Sequence, residues 1–451
     1  MNSSKILVAG AAALLSLASA HADVSIHITG STAFRKGTIN AIIGVMGGNG
    51  AVKSAYKTGT GITGPNDAGQ TVIQGTVALH PEFGTVTVKA VWSGSSGGVK
   101  TIVQNLDIAT APGWPSITNL GTVGTPNGLA ALDYTLDFGG ETLKTDVCMS
   151  DAKQVTTGFT SAGLTETKVG VIPFEWVVGN QSPAVASAIT NITPLQAQAV
   201  ISGGAPLSTF TSNSAHASIP VYAVGRDADS GTRISALAET GVGVFGSVQH
   251  IQVVTTGGTG DGTAGATISK LYLWPASTLL GVAYPIGNGG YSGGGGVANV
   301  LATPGSTSAT TSDGGATIPS AQEVLFGAGQ LVGYLGRSDA RTAVKTGTIA
   351  TNNAHRLAFN GVTCWSGNDN TSDGTPSGGY DDSKMQEGVY QCWEFEWLSY
   401  RTTYGTTSPN GKSFTDLVAA RIASTDGTAS GILLSTMHVT RAVEGGVITE
   451  L

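Results

Sequence analysis

The sequence predicts an α/β fold, and two observations carry that prediction. Apolar runs of β type recur at residues 24–28, 85–91, 169–178, 219–224 and 332–335. Stripes with helical spacing lie between them, and strand–helix alternation marks a sheet covered by helices. Composition agrees with a folded chain. Charged residues are only 11% and hydrophobic residues 40%, whereas disorder needs low hydrophobicity or high net charge. The 451 residues are enough for two or three domains.

Each element has its own signal. Residues 24–28 read as the first strand. Ile39, Ile42, Ile43 and Met46 then fall at i, i+3, i+4, i+7, one face of a helix. Residues 47–90 are Gly/Thr-rich and read as a hairpin insertion. Val99, Ile102, Val103 and Leu106 form the next helical stripe. Thr193-Pro194 opens another helix, with Thr as N-cap and Pro at the first position. Ile234 and Leu237 follow Ser230-Gly231-Thr232, and Phe414, Leu417, Val418 and Ile422 form a late stripe. Gly/Ser/Thr-rich segments at 255–266, 287–296, 303–315 and 366–382 interrupt the pattern. The last is Asp-rich but misses the EF-hand spacing, so it reads as a solvated loop.

The N-terminus reads as an export signal: Lys5, an apolar run over 6–17, then Ala18-Ser19-Ala20 and Ala20-His21-Ala22 as cleavage candidates. Residues 1–22 are assigned to it. The run is too short for a span. The other long apolar stretch, 271–286, is broken by Pro275, Ser277, Thr278 and Pro285 and reads as strand plus turn, so no membrane span is expected in the exported chain. Three cysteines remain, and an oxidising compartment permits one disulfide; Cys364–Cys392 is the expected pair because both lie in one region. The seven His are scattered without zinc spacing, so neither metal nor cofactor is expected. A net charge of −7 offers no electrostatic footprint for nucleic acid.

Three segments share one device, small hydroxyl and Gly residues just before an amphipathic helix. They are Gly30-Ser31-Thr32-Ala33-Phe34, Gly94-Ser95-Ser96-Gly97-Gly98 and Asp229-Ser230-Gly231-Thr232. A helix N-terminus leaves free N–H groups and a partial positive charge, which suits an anion. Arg226 ends the strand before the third segment, and a guanidinium matches an oxyanion bidentately. Asp151 suits an oxyanion that still carries a proton; phosphate does and sulfate does not, so an acceptor there discriminates between them. Taken singly, Asp151 reads equally as an N-cap and Arg226 as the partner of Asp227 or Asp229.

The run Gly94-Ser95-Ser96-Gly97-Gly98-Val99-Lys100-Thr101-Ile102 resembles the signature of periplasmic phosphate-binding proteins of ABC transporters. Ser150-Asp151-Ala152 looks like that family's Ser-Asp-Ala. Arg226-Asp227-Ala228-Asp229-Ser230-Gly231-Thr232 is similar to its Arg-x-Asp-x-Ser-Gly-Thr, with the second Asp shifted by one. Ile192-Thr193-Pro194-Leu195-Gln196, Pro285-Ile286-Gly287-Asn288-Gly289-Gly290 and Gly333-Tyr334-Leu335 resemble further family segments, all in family order. Ala33 stands where the family has Thr.

The resemblance implies a two-lobed type II periplasmic-binding-protein fold with two crossovers and a ligand cleft between the lobes. Its expected organisation is 23–176 in lobe 1, 177–392 in lobe 2 with Gly-rich insertions, and 393–451 returning to lobe 1. The implied phosphate ligands are Thr32, Ala33, Phe34, Ser95 and Asp151 from lobe 1, and Arg226, Ser230, Gly231 and Thr232 from lobe 2. The implied protein is a non-enzymatic, monomeric binder of inorganic phosphate in the periplasm, serving an inner-membrane ABC permease. Two other readings stay open. One is a secreted or surface binder of phosphate or another oxyanion with no transport role. The other is a serine hydrolase, since Gly94-Ser95-Ser96-Gly97-Gly98 formally matches G-x-S-x-G with Ser96 as nucleophile and His216, His250 or His438 as base.

Overall fold

The computed structural model describes residues 23–57, 62–106, 114, 121–122, 144–279, 281–305, 323–324, 329–349 and 352–451. The expected export signal, 1–22, and residues 306–315 of one Gly-rich segment lie outside the described residues.

Strand β1 (Val24–Gly30) leads into helix α1 (Arg35–Val45). Strands β2 (Lys53–Tyr56), β3 (Gln70–Gly75) and β4 (Val86–Val91) pair antiparallel in sequence, so the 47–90 segment extends the sheet. Helix α2 (Ser95–Val103) follows β4, then come β5 (Val147–Ser150) and the long β6 (Leu164–Val178). Helix α3 (Pro194–Gly203) begins at the expected cap. Gln196 N–H donates to the Thr193 hydroxyl at 3.3 Å, and Thr193 N–H donates to the Gln196 side-chain oxygen Oε1 at 2.8 Å, a complete capping box. Next are β7 (Pro220–Val224), α4 (Gly231–Glu239), β8 (Ile251–Thr256), β9 (Thr267–Leu273) and α5 (Gly294–Ala302). The chain ends with β10 (Gln330–Gly336), α6 (Arg337–Val344), β11 (His355–Phe359), β12 (Trp393–Arg401) and α7 (Pro409–Ser424).

The described residues form a mixed sheet whose main path runs β2-β3-β4-β1-β5-β12-β6-β10-β7, with β11 also on β6. Strand β1 is parallel to β4 and β5, and β7 is parallel to β10. Long strand β6 joins the two halves. Its Leu164–Pro173 portion pairs with β12, and Phe174 to Val178 pair with β10. Strand β12 brings the chain back against β5 and β6. This is the mixed α/β architecture the sequence predicts, with the chain passing between the halves twice.

One large core joins both halves, and Trp176, Phe174, Trp393 and Phe34 are wholly buried in it. Strand β12 is covered on both faces, so its Glu394 and Glu396 are buried beside the aromatics. The second core lies under β8, β9, α5 and α6. No described helix is long and apolar enough to cross a membrane.

Two expectations need correction. Cys364 and Cys392 share one core, yet both are free buried thiols, as is Cys148. Each has another partner: Cys364 faces Arg337, and Cys392 faces Tyr390. The 366–382 segment is also more than a solvated loop. Asp369 accepts the Arg356 backbone N–H at 2.7 Å, and Asp382 pairs with Arg337 at 2.7 Å.

Candidate functional site

The site begins where β1 ends. Gly30 has φ +118°, and a Cβ there would strike the Met149 carbonyl, so glycine alone allows the turn. Ser31 N–H then donates to Met149 O at 2.7 Å, which pins the following loop to the end of β5. Phe34 anchors that loop in the core, fully buried, and its N–H donates to Ser31 Oγ at 3.3 Å. Phe34 is therefore an anchor whose N–H is already used, not the free donor expected of it. Thr32 and Ala33 line a cleft shared with Arg35, Asp67, Arg337 and Asp339.

The second and third segments meet directly. Ser95, the first residue of α2, donates its hydroxyl to Asp151 Oδ1, and Asp151 N–H donates back to Ser95 Oγ at 3.3 Å. The Asp151 carboxylate rests on Gly231 at the start of α4, where any Cβ would collide with it. Residues from separate halves of the sheet thus converge on one carboxylate, with Ser230 as the N-cap of α4. The Ser230 and Ser96 hydroxyls are buried and have no hydrogen-bond partner among the described residues.

The N-terminus of α2 is less free than the sequence implies. Ser96 N–H donates to Asp229 O at 2.8 Å, and Gly97 N–H leans on the same oxygen at 3.4 Å. Gly94, at φ +94°, permits this approach, because a Cβ there would meet Asp229 O. The Asp229 carbonyl, 133 positions along the chain from Ser96, caps the helix as an anion would.

Arg226 is 4% exposed, so its guanidinium is desolvated. It does not pair with Asp227 or Asp229. Its Nε donates to Tyr291 O at 3.0 Å and its Nη2 to Ser292 O at 2.9 Å. Two backbone carbonyls therefore fix its plane. Arg226 and Thr232 line a small cavity of about 20 Å³ with Trp176, Arg233, His250 and Tyr334. Arg233 donates to Asn288 O at 3.1 Å and to Asn288 Oδ1 at 2.5 Å. His250 donates its Nδ1–H to Gly289 O, 2.9 Å away. Burial and the Arg233 charge push its pKa down to about 3, so it is neutral.

The carboxylates here share one electrostatic sign. Burial raises Asp151 to about 6, against the pull of its own backbone hydrogen bond and of Arg226. Burial and the neighbouring Asp227 raise Asp229 to about 7. Asp227 and Asp339 are also raised by burial. Glu396 is fully buried, with the Ser31 hydroxyl against its carboxylate. Desolvation and the Asp151 charge push it well above the usual range. Such a cluster can accept protons and donate hydrogen bonds near neutral pH.

Sequence reasoning missed Arg35, Arg233, Asp339 and Glu396. The available signal was Trp393-Glu394-Phe395-Glu396-Trp397, two carboxylates inside an otherwise aromatic strand. The hydrolase reading finds no support in the geometry. Among the described residues Ser96 Oγ has no partner, His250 is bonded to Gly289 O, His216 to Thr211 at 2.9 Å, and His438 is exposed.

No protein-family model matches the chain, and no curated protein matches it. Solved structures that resemble it include an ABC-type phosphate transport receptor from Vibrio cholerae, at 12% identity and TM-score 0.42, covering 91% of this chain and 99% of that one. PstS from Borrelia burgdorferi is similar at 12% identity and TM-score 0.36, covering 91% and 98%. A phosphate-binding protein from Stenotrophomonas maltophilia matches at 12% identity and TM-score 0.32, covering 87% and 83%. At that level of likeness the function must be read from this chain's own residues.

Proposed function

We propose that this chain is an exported solute-binding protein that captures phosphate between the two halves of its sheet and delivers it to an ABC importer of the inner membrane. The observation that carries the reading is the convergence of Ser95, Asp151, Ser230 and Gly231 on one point. The start of α4 rests against a buried acceptor there, and Arg226 contributes its field to Asp151. The oxyanion would exchange the Ser95–Asp151 bond for bonds of its own. Ser95, Ser230, Gly231 and Thr232 would donate to it, and Asp151 would accept its proton. Charge would be met by neutral dipoles and one guanidinium, with no covalent step. Export rests on the reading of residues 1–22, and a permease follows from the role of a soluble carrier.

Selectivity follows from Asp151. An oxyanion with no proton to give meets a repulsive, acceptor-only group, and that mismatch rejects sulfate. Asp151→Asn should retain phosphate binding and admit sulfate, because an amide donates where the carboxylate only accepts. Calorimetric titration of that variant with both anions is the test. Continued exclusion of sulfate would contradict this account of selectivity.

A further inference from the structure

A cleft lined by Thr32, Arg35, Asp67 and Asp339 holds about 150 Å³, more than a bare oxyanion needs. The cleft is bounded by α1, by Asn66 and Asp67, and by the start of α6. Asp339 links it to Arg226: its carboxylate lies against Gly294, two residues beyond the Ser292 carbonyl that Arg226 holds.

Its lining reads a particular chemistry. Arg35 and Lys36 face Asp67 and Asp339, a balance of charge that suits a neutral group more than a second strong anion. Arg337 also lines the cleft, but Glu175 and Asp382 engage its guanidinium. Among the described residues the Arg35 guanidinium makes no hydrogen bond and no ion pair, and it feels Asp339 and Asp67 only at longer range. A half-buried cation left so costs desolvation, and such donors are ordinarily satisfied. Carboxylates accept from hydroxyls, and a guanidinium donates to them. No aromatic ring lines the cleft, which disfavours a nucleobase.

We infer that the site also takes polyol phosphomonoesters, the sugar-phosphate class, with the phosphoryl group at the Ser95–Asp151–Gly231 contact and the hydroxyl-bearing part against Arg35, Asp67 and Asp339. This rests on the oxyanion reading above. A phosphomonoester loses its last proton with a pKa of ~6. At that pH it can still offer Asp151 a proton, as inorganic phosphate does.

The test is calorimetric titration at pH 6 with inorganic phosphate, glucose 6-phosphate and glucose. The wild-type chain is compared with Arg35→Ala and Asp67→Asn, each first checked for native circular dichroism. Glucose 6-phosphate is expected to bind within tenfold of phosphate. In both variants the ratio of ester to phosphate affinity should fall at least tenfold. Phosphate binding without ester binding would overturn this inference and leave the oxyanion reading standing. An unchanged ratio in both variants would also overturn it, because the cleft would then not hold the sugar. Binding of neither would overturn the oxyanion reading as well.

Discussion

Glu175 and Asp151 are both buried carboxylates on the central sheet, at 0% and 2% exposure, and their surroundings differ in kind. Glu175 is held by two arginines, with Arg356 Nε 2.5 Å from one oxygen and Arg337 Nε 3.4 Å from the other. Those arginines are themselves fixed, Arg356 by Tyr380 and Gly374 O, Arg337 by Asp382. Asp151 has a serine hydroxyl, a glycine and another buried carboxylate, Glu396, for neighbours. A buried charge with fixed counter-charges is a structural joint. A buried carboxylate whose pKa is pushed to about 6, between two helix starts, is placed to exchange a proton or a ligand.

The comparison can be broken most forcefully at Arg356. Arg356→Ala leaves Glu175 to Arg337 alone, and removing one member of a buried pair costs ~3–5 kcal/mol. Urea unfolding should show that loss, whereas phosphate affinity of the folded fraction should change little. A small stability change would mean Glu175 is no better partnered than Asp151.

The next effect is on Asp151 itself. Its folded pKa lies above its unfolded value, so the folded chain binds more protons than the unfolded one between pH 4 and 6. The contribution of this group to stability is fully present below about pH 4 and is lost as pH rises through about 6, by roughly 2–3 kcal/mol. Asp229, raised to about 7, acts with the same sign. Ligand-free Asp151→Asn should therefore gain stability over wild type as pH climbs from 4 to 7. Equal pH profiles would place Asp151 in the same class as Glu175.

Arg226→Ala should weaken phosphate binding by about 1.5–3 kcal/mol, the scale of a charge-assisted hydrogen bond. Its effect on unfolding should be smaller than that of Arg356→Ala, because its fixed partners are carbonyls rather than a buried carboxylate. The smallest effect belongs to a purely local feature. Thr193→Ala removes one cap of α3 and should cost ~1 kcal/mol in urea, with no change in binding.

What the sequence made legible follows the range of the interactions. The strands, the helical stripes and the Thr193 cap are local, and their residues announce them. The three hydroxyl–glycine segments were visible too, because each sits next to its own helix. The capping of α2 by Asp229 was not visible, since it joins residues from separate halves of the sheet. The same holds for Asp369 and Asp382, which look like solvent-facing acids until Arg356 and Arg337 are placed beside them. Nothing in the sequence singles out Arg35. Its meaning appears only when Asp67 and Asp339 stand across the cleft. The free thiols of Cys364 and Cys392 teach the same lesson: sharing a region does not make two cysteines a pair.

The most direct test of the central claim is calorimetric titration of the purified chain with phosphate and then sulfate, after co-purified ligand has been stripped by partial unfolding and refolding. The account predicts phosphate binding at micromolar or tighter affinity and no heat from sulfate. Absence of heat from phosphate, or equal binding of both anions, would contradict it.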